Sequence, residues 1–246
     1  MEFEASPCRS RPAAARFGFA AAVATTVATV TSFAFALRAI PISGAFCPGG
    51  CVEYPYLNTA DQFPRDFVWM IPAMLLVVCY LVLVAAIHGT TNGERRLLSH
   101  TGWSFALIST TVLLINYWVQ FSVVPISLMR DQTVGLPLII QYNPHGLFLV
   151  LEELGYLMMS LSFLFIGLSF PSSDRLRRAI RWVFLSGFGL AVVALVVISA
   201  VYGLERLDRF EVAVISIDWI LLLVNGVLLA LHFRTILRDA HRSRET

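Results

Sequence analysis

Two adjacent carboxylates, Glu152 and Glu153 in the stretch LEELGY, stand inside an apolar run long enough to cross a bilayer, and a third, Asp218, stands inside another. An acid facing hydrocarbon costs on the order of 3 kcal/mol on insertion scales, so these side chains should face one another or a wet cavity. A carboxylic acid held away from bulk water can give a proton to an alkene or epoxide, and a second carboxylate or a phenol can remove one afterwards. On that chemistry Glu152, Glu153, Asp218 and Tyr156 are candidate catalytic residues, and Asn116, Gln120 and Tyr117, at similar depth, are candidate substrate-binding residues. Neighbours on a helix point about 100° apart, so Glu152 and Glu153 cannot share one target, and one of them should face the core. With no Lys or Arg inside any span, the acids are expected to lack a buried cation. The competing interpretation is that the same residues only hydrogen-bond three helices together, each bond being worth about 0.6–2 kcal/mol.

A second chemical pair is Cys47 and Cys51 in CPGGC. Pro48, Gly49 and Gly50 can fold the chain back, and a disulfide is expected on an oxidising side of the membrane. A redox dithiol is the alternative, although no partner redox motif accompanies it. Neither thiol has imidazole or further thiol ligands nearby, and no metal site or cofactor is expected. His88 and His232 fall at inner helix ends and are read as solvated ends rather than haem ligands.

The elements that must position these groups are membrane helices. Of the 246 residues 57% are hydrophobic and 14% charged, and the mean hydropathy is +0.74. Soluble domains carry about 25% charged residues. Apolar runs near 17–37, 67–87, 103–127, 146–170, 182–202 and 211–233 each approach the roughly 20 residues a spanning helix needs. The expectation is an all-α polytopic membrane bundle of about six transmembrane helices forming a single integral membrane domain over residues 1–246.

Orientation follows from arginine, the only strongly basic residue present. Arg9, Arg11, Arg16, Arg95, Arg96, Arg175, Arg177, Arg178, Arg181, Arg234, Arg238, Arg242 and Arg244 would share one side. Only Arg38, Arg65, Arg130, Arg206 and Arg209 lie on the other. Positive residues stay inside, which puts both termini in the cytoplasm and the chain in the plasma membrane, a bacterial inner membrane. The first run could instead be a signal peptide, with Ala34 and Ala36 as a small-residue cleavage site. The partner implied throughout is the lipid bilayer. A net charge of +2 gives no support to nucleic-acid binding.

In QYNPHG, Asn143 is a suitable N-cap and Pro144 a suitable first helical residue. Glu152 and Glu153 would then lie roughly 12–14 Å along that helix, with Asp218 roughly 10 Å below Glu211 on the last one. The polar layer therefore belongs to the outer half. The outer loops 38–66 and 128–145 are the longer ones, and VGLPLII in the second is too short to span and could lid the bundle. No internal repeat supports an inverted-repeat transporter.

The stretches NYWVQFSVVPISL and QYNPHGLFLVLEELGYLMMSLSFLF resemble a group of bacterial polytopic membrane proteins with a similar Asn-Pro-His-Gly then Glu-Glu-Leu-Gly-Tyr pattern, over about residues 63 to 170. The resemblance implies a multi-pass membrane fold and carries no activity with it. A looser likeness to small all-helical membrane cyclases of isoprenoid substrates rests on size, helix count and buried acids. Three functions fit the sequence. The first is acid–base isomerisation or cyclisation of a lipophilic small molecule, the second small proton-coupled transport, and the third an accessory subunit of a membrane complex.

Overall fold

The computed structural model describes residues 10–245, and within them every regular element is helical. The long helices are α1 (Ser10–Ala36), α2 (Met70–Thr90), α3 (Arg95–Ser122), α6 (Leu147–Ser169), α7 (Arg175–Tyr202) and α8 (Leu207–Glu245), with short α4 (Val124–Met129) and α5 (Leu136–Ile139) between α3 and α6. Five stretches are long and apolar enough to cross a membrane: Pro12–Ala36, Met70–Thr90, Arg95–Met129, Leu147–Ser169 and Arg175–Arg242. The last is interrupted by a 3-10 turn at Gly203–Arg206, where Gly203 takes φ +57° and Glu205 leaves helical geometry, so that it comprises α7 and α8.

Several helices extend beyond their apolar runs. α3 starts at Arg95 rather than near 103, α7 at Arg175 rather than near 182, and α8 continues to Glu245 rather than stopping near 233. Helical hydrogen bonding needs no apolar side chains, so it continues into charged sequence where hydropathy falls away.

α1 packs on α2 and α8, α3 on α2 and α6, and α6 on α3, α7 and α8. Gly18 meets the Phe233 ring and Phe33 meets Trp219 at 5.1 Å, so α1 and α8 run antiparallel. Gly155 on α6 lies against Leu113 of α3, and Gly226 on α8 against Thr26 of α1, so closely that a Cβ at either position would overlap its neighbour. Small residues of this kind let membrane helices approach. α7 is peripheral: Val193, Val196, Val197 and Val201 point outward and stay exposed.

The end of the bundle at which α1 finishes, the outer end on the expected topology, is capped by loop structure. Phe67, Val124, Leu128, Leu136, Ile140 and Tyr142 form a separate apolar cluster there, and VGLPLII contributes the single turn of α5 to it. The start of α6 differs from the sequence expectation. Gly146 is its N-cap and no side chain caps it. Asn143 instead accepts a bond from the His145 N–H at 2.9 Å and donates to the Pro137 carbonyl at 2.7 Å. A local turn thus wins over capping, as it often does for Asn. With α6 starting at Leu147, Glu152 lies about 8 Å along it rather than 12 Å.

Candidate functional site

Glu152 is fully buried on α6. Its Oε1 accepts the Tyr117 hydroxyl of α3 at 2.7 Å. The Tyr117 and Tyr156 hydroxyls are 3.1 Å apart, and the Trp219 indole N–H of α8 donates to Tyr156 at 3.2 Å. A phenol has one hydrogen to give. Because Tyr117 gives its hydrogen to Glu152, Tyr156 must donate to Tyr117. The chain Trp219 to Tyr156 to Tyr117 to Glu152 therefore runs in one direction, and all its members are buried.

The other oxygen of Glu152 has no hydrogen-bond donor, and the Glu211 carboxyl of α8 lies close to the Glu152 carboxyl. Two carboxylates are both acceptors, so a hydrogen bond between them requires that one carries a proton. Glu211 connects this pair to a cavity of about 460 Å³ at the outer end of the bundle. Its walls are largely apolar, with Phe33, Ile40, Trp69, Leu149, Val212 and Trp219 among them. Trp69 also packs edge-on against Tyr117 at 5.6 Å, so two cavity walls touch the hydrogen-bonded chain directly.

Two further carboxylates line the cavity and both already hold other partners. Asp66 is paired with Arg65 at 2.9 Å and accepts the Tyr142 hydroxyl at 3.3 Å; burial, and then that carboxylate, raises the Tyr142 phenol above its ordinary pKa. Asp208 contacts Arg209 at 3.3 Å and accepts the Ala45 N–H at 2.7 Å. The latter bond pins the chain leaving α1 across the cavity as a roof. Gly44, at φ +71°, is required there, because a Cβ would come within 2.9 Å of the Asp208 carboxylate. Glu211 is the cavity acid with no arginine among its described partners.

The remaining candidates occupy different places. Asn116 donates to the Phe148 carbonyl at 2.9 Å, and Gln120 donates to the Ile139 carbonyl at 2.7 Å and accepts the Gln141 N–H at 3.1 Å. They tie α3 to α6 and to the outer loop and do not line the cavity. Glu153 points away from Glu152, and a single guanidinium nitrogen of Arg206 lies 2.9 Å from both of its oxygens. Glu153 therefore has a cation partner, although the Arg206 side chain is part-exposed rather than buried. Arg206 belongs to the turn between α7 and α8 and reaches back to α6. Asp218 is fully buried and accepts Ser160 Oγ at 2.9 Å, while its second oxygen has no partner. The sulfurs of Cys47 and Cys51 are within bonding distance, with Cα atoms 6.0 Å apart, outside the cavity lining.

Sequence reasoning treated Glu211 as an end marker for the last helix. The signal that could have found it is periodicity. Glu211, Asp218, Asn225 and His232 recur every seven residues on α8, a spacing that returns to nearly the same face. Both side-chain polar atoms of Asn225 are buried without partners. The stripe extends about 32 Å along the helix, from the cavity at Glu211 to a second cavity at His232.

Among the described residues, no group of three or more His, Cys, Asp or Glu side chains is placed to hold a metal ion. No family model matches the chain, and no curated protein or solved structure proves similar to it.

Proposed function

We propose that this protein spans a bacterial plasma membrane six times with both termini cytoplasmic, and that its outer cavity binds a lipophilic small molecule for acid–base chemistry. The observation that carries this reading is the continuity from an apolar cavity, through Glu211, to the buried Glu152 and the one-directional phenol chain behind it. A volume of about 460 Å³ falls within the roughly 300–1,000 Å³ of small-molecule sites. In an isomerisation, the Glu211 carboxyl adds its proton to one carbon of a C=C bond. A second group removes a proton from the carbon next to the resulting cation, and the double bond re-forms one position along. Where that group is the Glu211 carboxylate left by the first transfer, Glu211 ends protonated as it began and proton number balances. Cyclisation follows the same path when another double bond of the substrate attacks the cation before the proton leaves. On this topology Cys47 and Cys51 face the oxidising side, where a disulfide is stable.

The test is ligand-dependent thermal stability of the detergent-purified protein across a panel of isoprenoid alkenes and epoxides, followed by product analysis. Glu211→Gln and Glu152→Gln should retain binding and lose turnover, whereas Val212→Trp, at an exposed wall position, should lose binding. Absence of any stabilising compound, or turnover unaffected by both Gln variants, would sink the reading. A reporter fused to the carboxyl terminus checks the topology.

Proton-coupled transport is the second reading, and the stripe on α8 favours it. Its length matches the roughly 30 Å of hydrocarbon a coupling path must cross. At the inner end Phe170 packs against His232 at 5.6 Å and against Phe184 at 6.4 Å, closing the stripe on that side. Ligand-driven proton movement into proteoliposomes, lost in Asp218→Asn and Asn225→Leu, would select transport over catalysis.

A further inference from the structure

At the end of the bundle opposite the outer cavity, α2, α3, α6, α7 and α8 surround a second cavity of about 360 Å³. Its character is the reverse of the first. The charged side chains lining it are Arg95 at the start of α3 and Arg177 in the first turn of α7. His232 of α8 and Asn92 of the α2–α3 loop lie beside them, and no carboxylate contributes to the wall. Like charges that converge without a lining counter-charge repel one another, and an anion between them relieves that repulsion.

The donors are available. Arg95 makes no ion pair and no side-chain hydrogen bond among the described residues. Arg177 is held from outside the cavity: its Nε pairs with Asp174 at 3.0 Å, which leaves its terminal nitrogens to turn elsewhere. His232 is 9% exposed, and its ring nitrogens make no hydrogen bond among the described residues. Arg177 and, from outside the lining, the Asp174 carboxylate both lie close enough to interact with it electrostatically. Thr90 and Thr91, also in the wall, donate their hydroxyl hydrogens to α2 carbonyls and do not compete. The 28-residue helix α3 begins at this cavity with no side-chain cap and adds the partial positive charge of its N-terminus, while that of α7 is already capped by the Asp174 carboxylate.

We propose that this inner cavity binds a phosphate-bearing anion, gripped by the Arg95 and Arg177 guanidinium groups with His232 at its floor. Guanidinium matches phosphate with paired, charge-assisted hydrogen bonds. At about 360 Å³ the cavity can take a phosphate together with part of the group it esterifies. That chemistry is common to an anionic lipid headgroup at the inner leaflet and to a soluble phosphate compound. The proposal is independent of what the outer cavity does.

The test compares thermal unfolding and retained lipid, the latter by native mass spectrometry, for the full chain in nanodiscs. Phosphatidylglycerol or phosphatidylcholine is the lipid, with inorganic phosphate or chloride at equal ionic strength in the buffer. The parent should be stabilised by phosphatidylglycerol, by inorganic phosphate, or by both. Arg95→Gln should bind about ten-fold more weakly, the loss of one charge-assisted contact, while Arg96→Gln, next to it and outside the lining, should bind as the parent does. Asn92→Asp, which puts a negative charge on the rim without touching a helix, should weaken binding too and covers the case in which Arg95→Gln fails to fold. A response to phosphatidylglycerol alone assigns a lipid headgroup, and a response to inorganic phosphate assigns a soluble phosphate group. No response to either, or equal responses from Arg95→Gln, Asn92→Asp and the parent, overturns the proposal.

Discussion

Replacing Tyr117 with Phe removes one oxygen from the buried hydrogen-bonded chain and leaves the ring that packs on Trp69 and Phe148 in place. The lost atom makes a 2.7 Å bond to Glu152 and a 3.1 Å contact with Tyr156. The first loss leaves Oε1 of Glu152 without a donor, when Oε2 already lacks one. Leaving a buried acceptor unsatisfied costs about 1–3 kcal/mol, and the second, neutral bond adds about 1 kcal/mol. Tyr117→Phe should therefore destabilise the protein by about 2–4 kcal/mol. In a Glu152→Leu background no acceptor remains to be stranded, and the same change should cost only about 1 kcal/mol. The cycle predicts a coupling of about 1–3 kcal/mol, measured by denaturant unfolding of the four proteins in one detergent. Residues without an energetic link add to within about 0.5 kcal/mol, so an additive result would refute the hydrogen-bond chain.

Three other outcomes follow from the same structure. Arg206→Leu strands a nearly buried Glu153 and should cost about 2 kcal/mol, a figure lowered for the partial exposure of the pair; the double variant with Glu153→Leu should recover most of it in the same unfolding assay. Gly155→Ala forces a methyl group into Leu113 and should cost about 1–3 kcal/mol, with Leu113→Ala in the same chain restoring part of the loss in thermal melts. Asp174 caps α7 by accepting the Arg177 N–H at 2.9 Å, and Asp174→Ala should cost about 1 kcal/mol. That backbone bond, followed by the Arg177 charge, holds the Asp174 carboxyl below its ordinary pKa. The folded value being the lower one, the contribution is complete above the ordinary Asp value near 3.9 and disappears as pH falls through the depressed folded value, so parent and Asp174→Ala should converge in stability in acid.

The helices and the acids among them could be read directly from the chain. A run of some twenty apolar residues has few options in hydrocarbon, because unpaired backbone groups there are too costly, and helix satisfies them locally. Polar residues inside such runs are conspicuous, which is why Tyr117, Glu152, Tyr156 and Asp218 could be named without coordinates. Their pairing could not. Glu211 looked like the last residue before the membrane and Arg206 like part of an exposed turn. Only the packing of α8 against α6, and the turn after Gly203, bring one carboxyl to Glu152 and the guanidinium to Glu153. Asn116, Gln120 and Asn143 looked like a ligand-facing layer and a helix cap, and they bond instead to carbonyls of Phe148, Ile139 and Pro137. Pro137 and Ile139 belong to the single turn of α5 and Phe148 to the first turn of α6, and no periodicity encodes which side chain reaches those carbonyls. Helix periodicity sets which residues share a face, while the face opposite is chosen by side-chain fit among several helices at once. The elements were therefore determined locally by the sequence, and the two cavities, with the charges that line them, were decided by the tertiary structure.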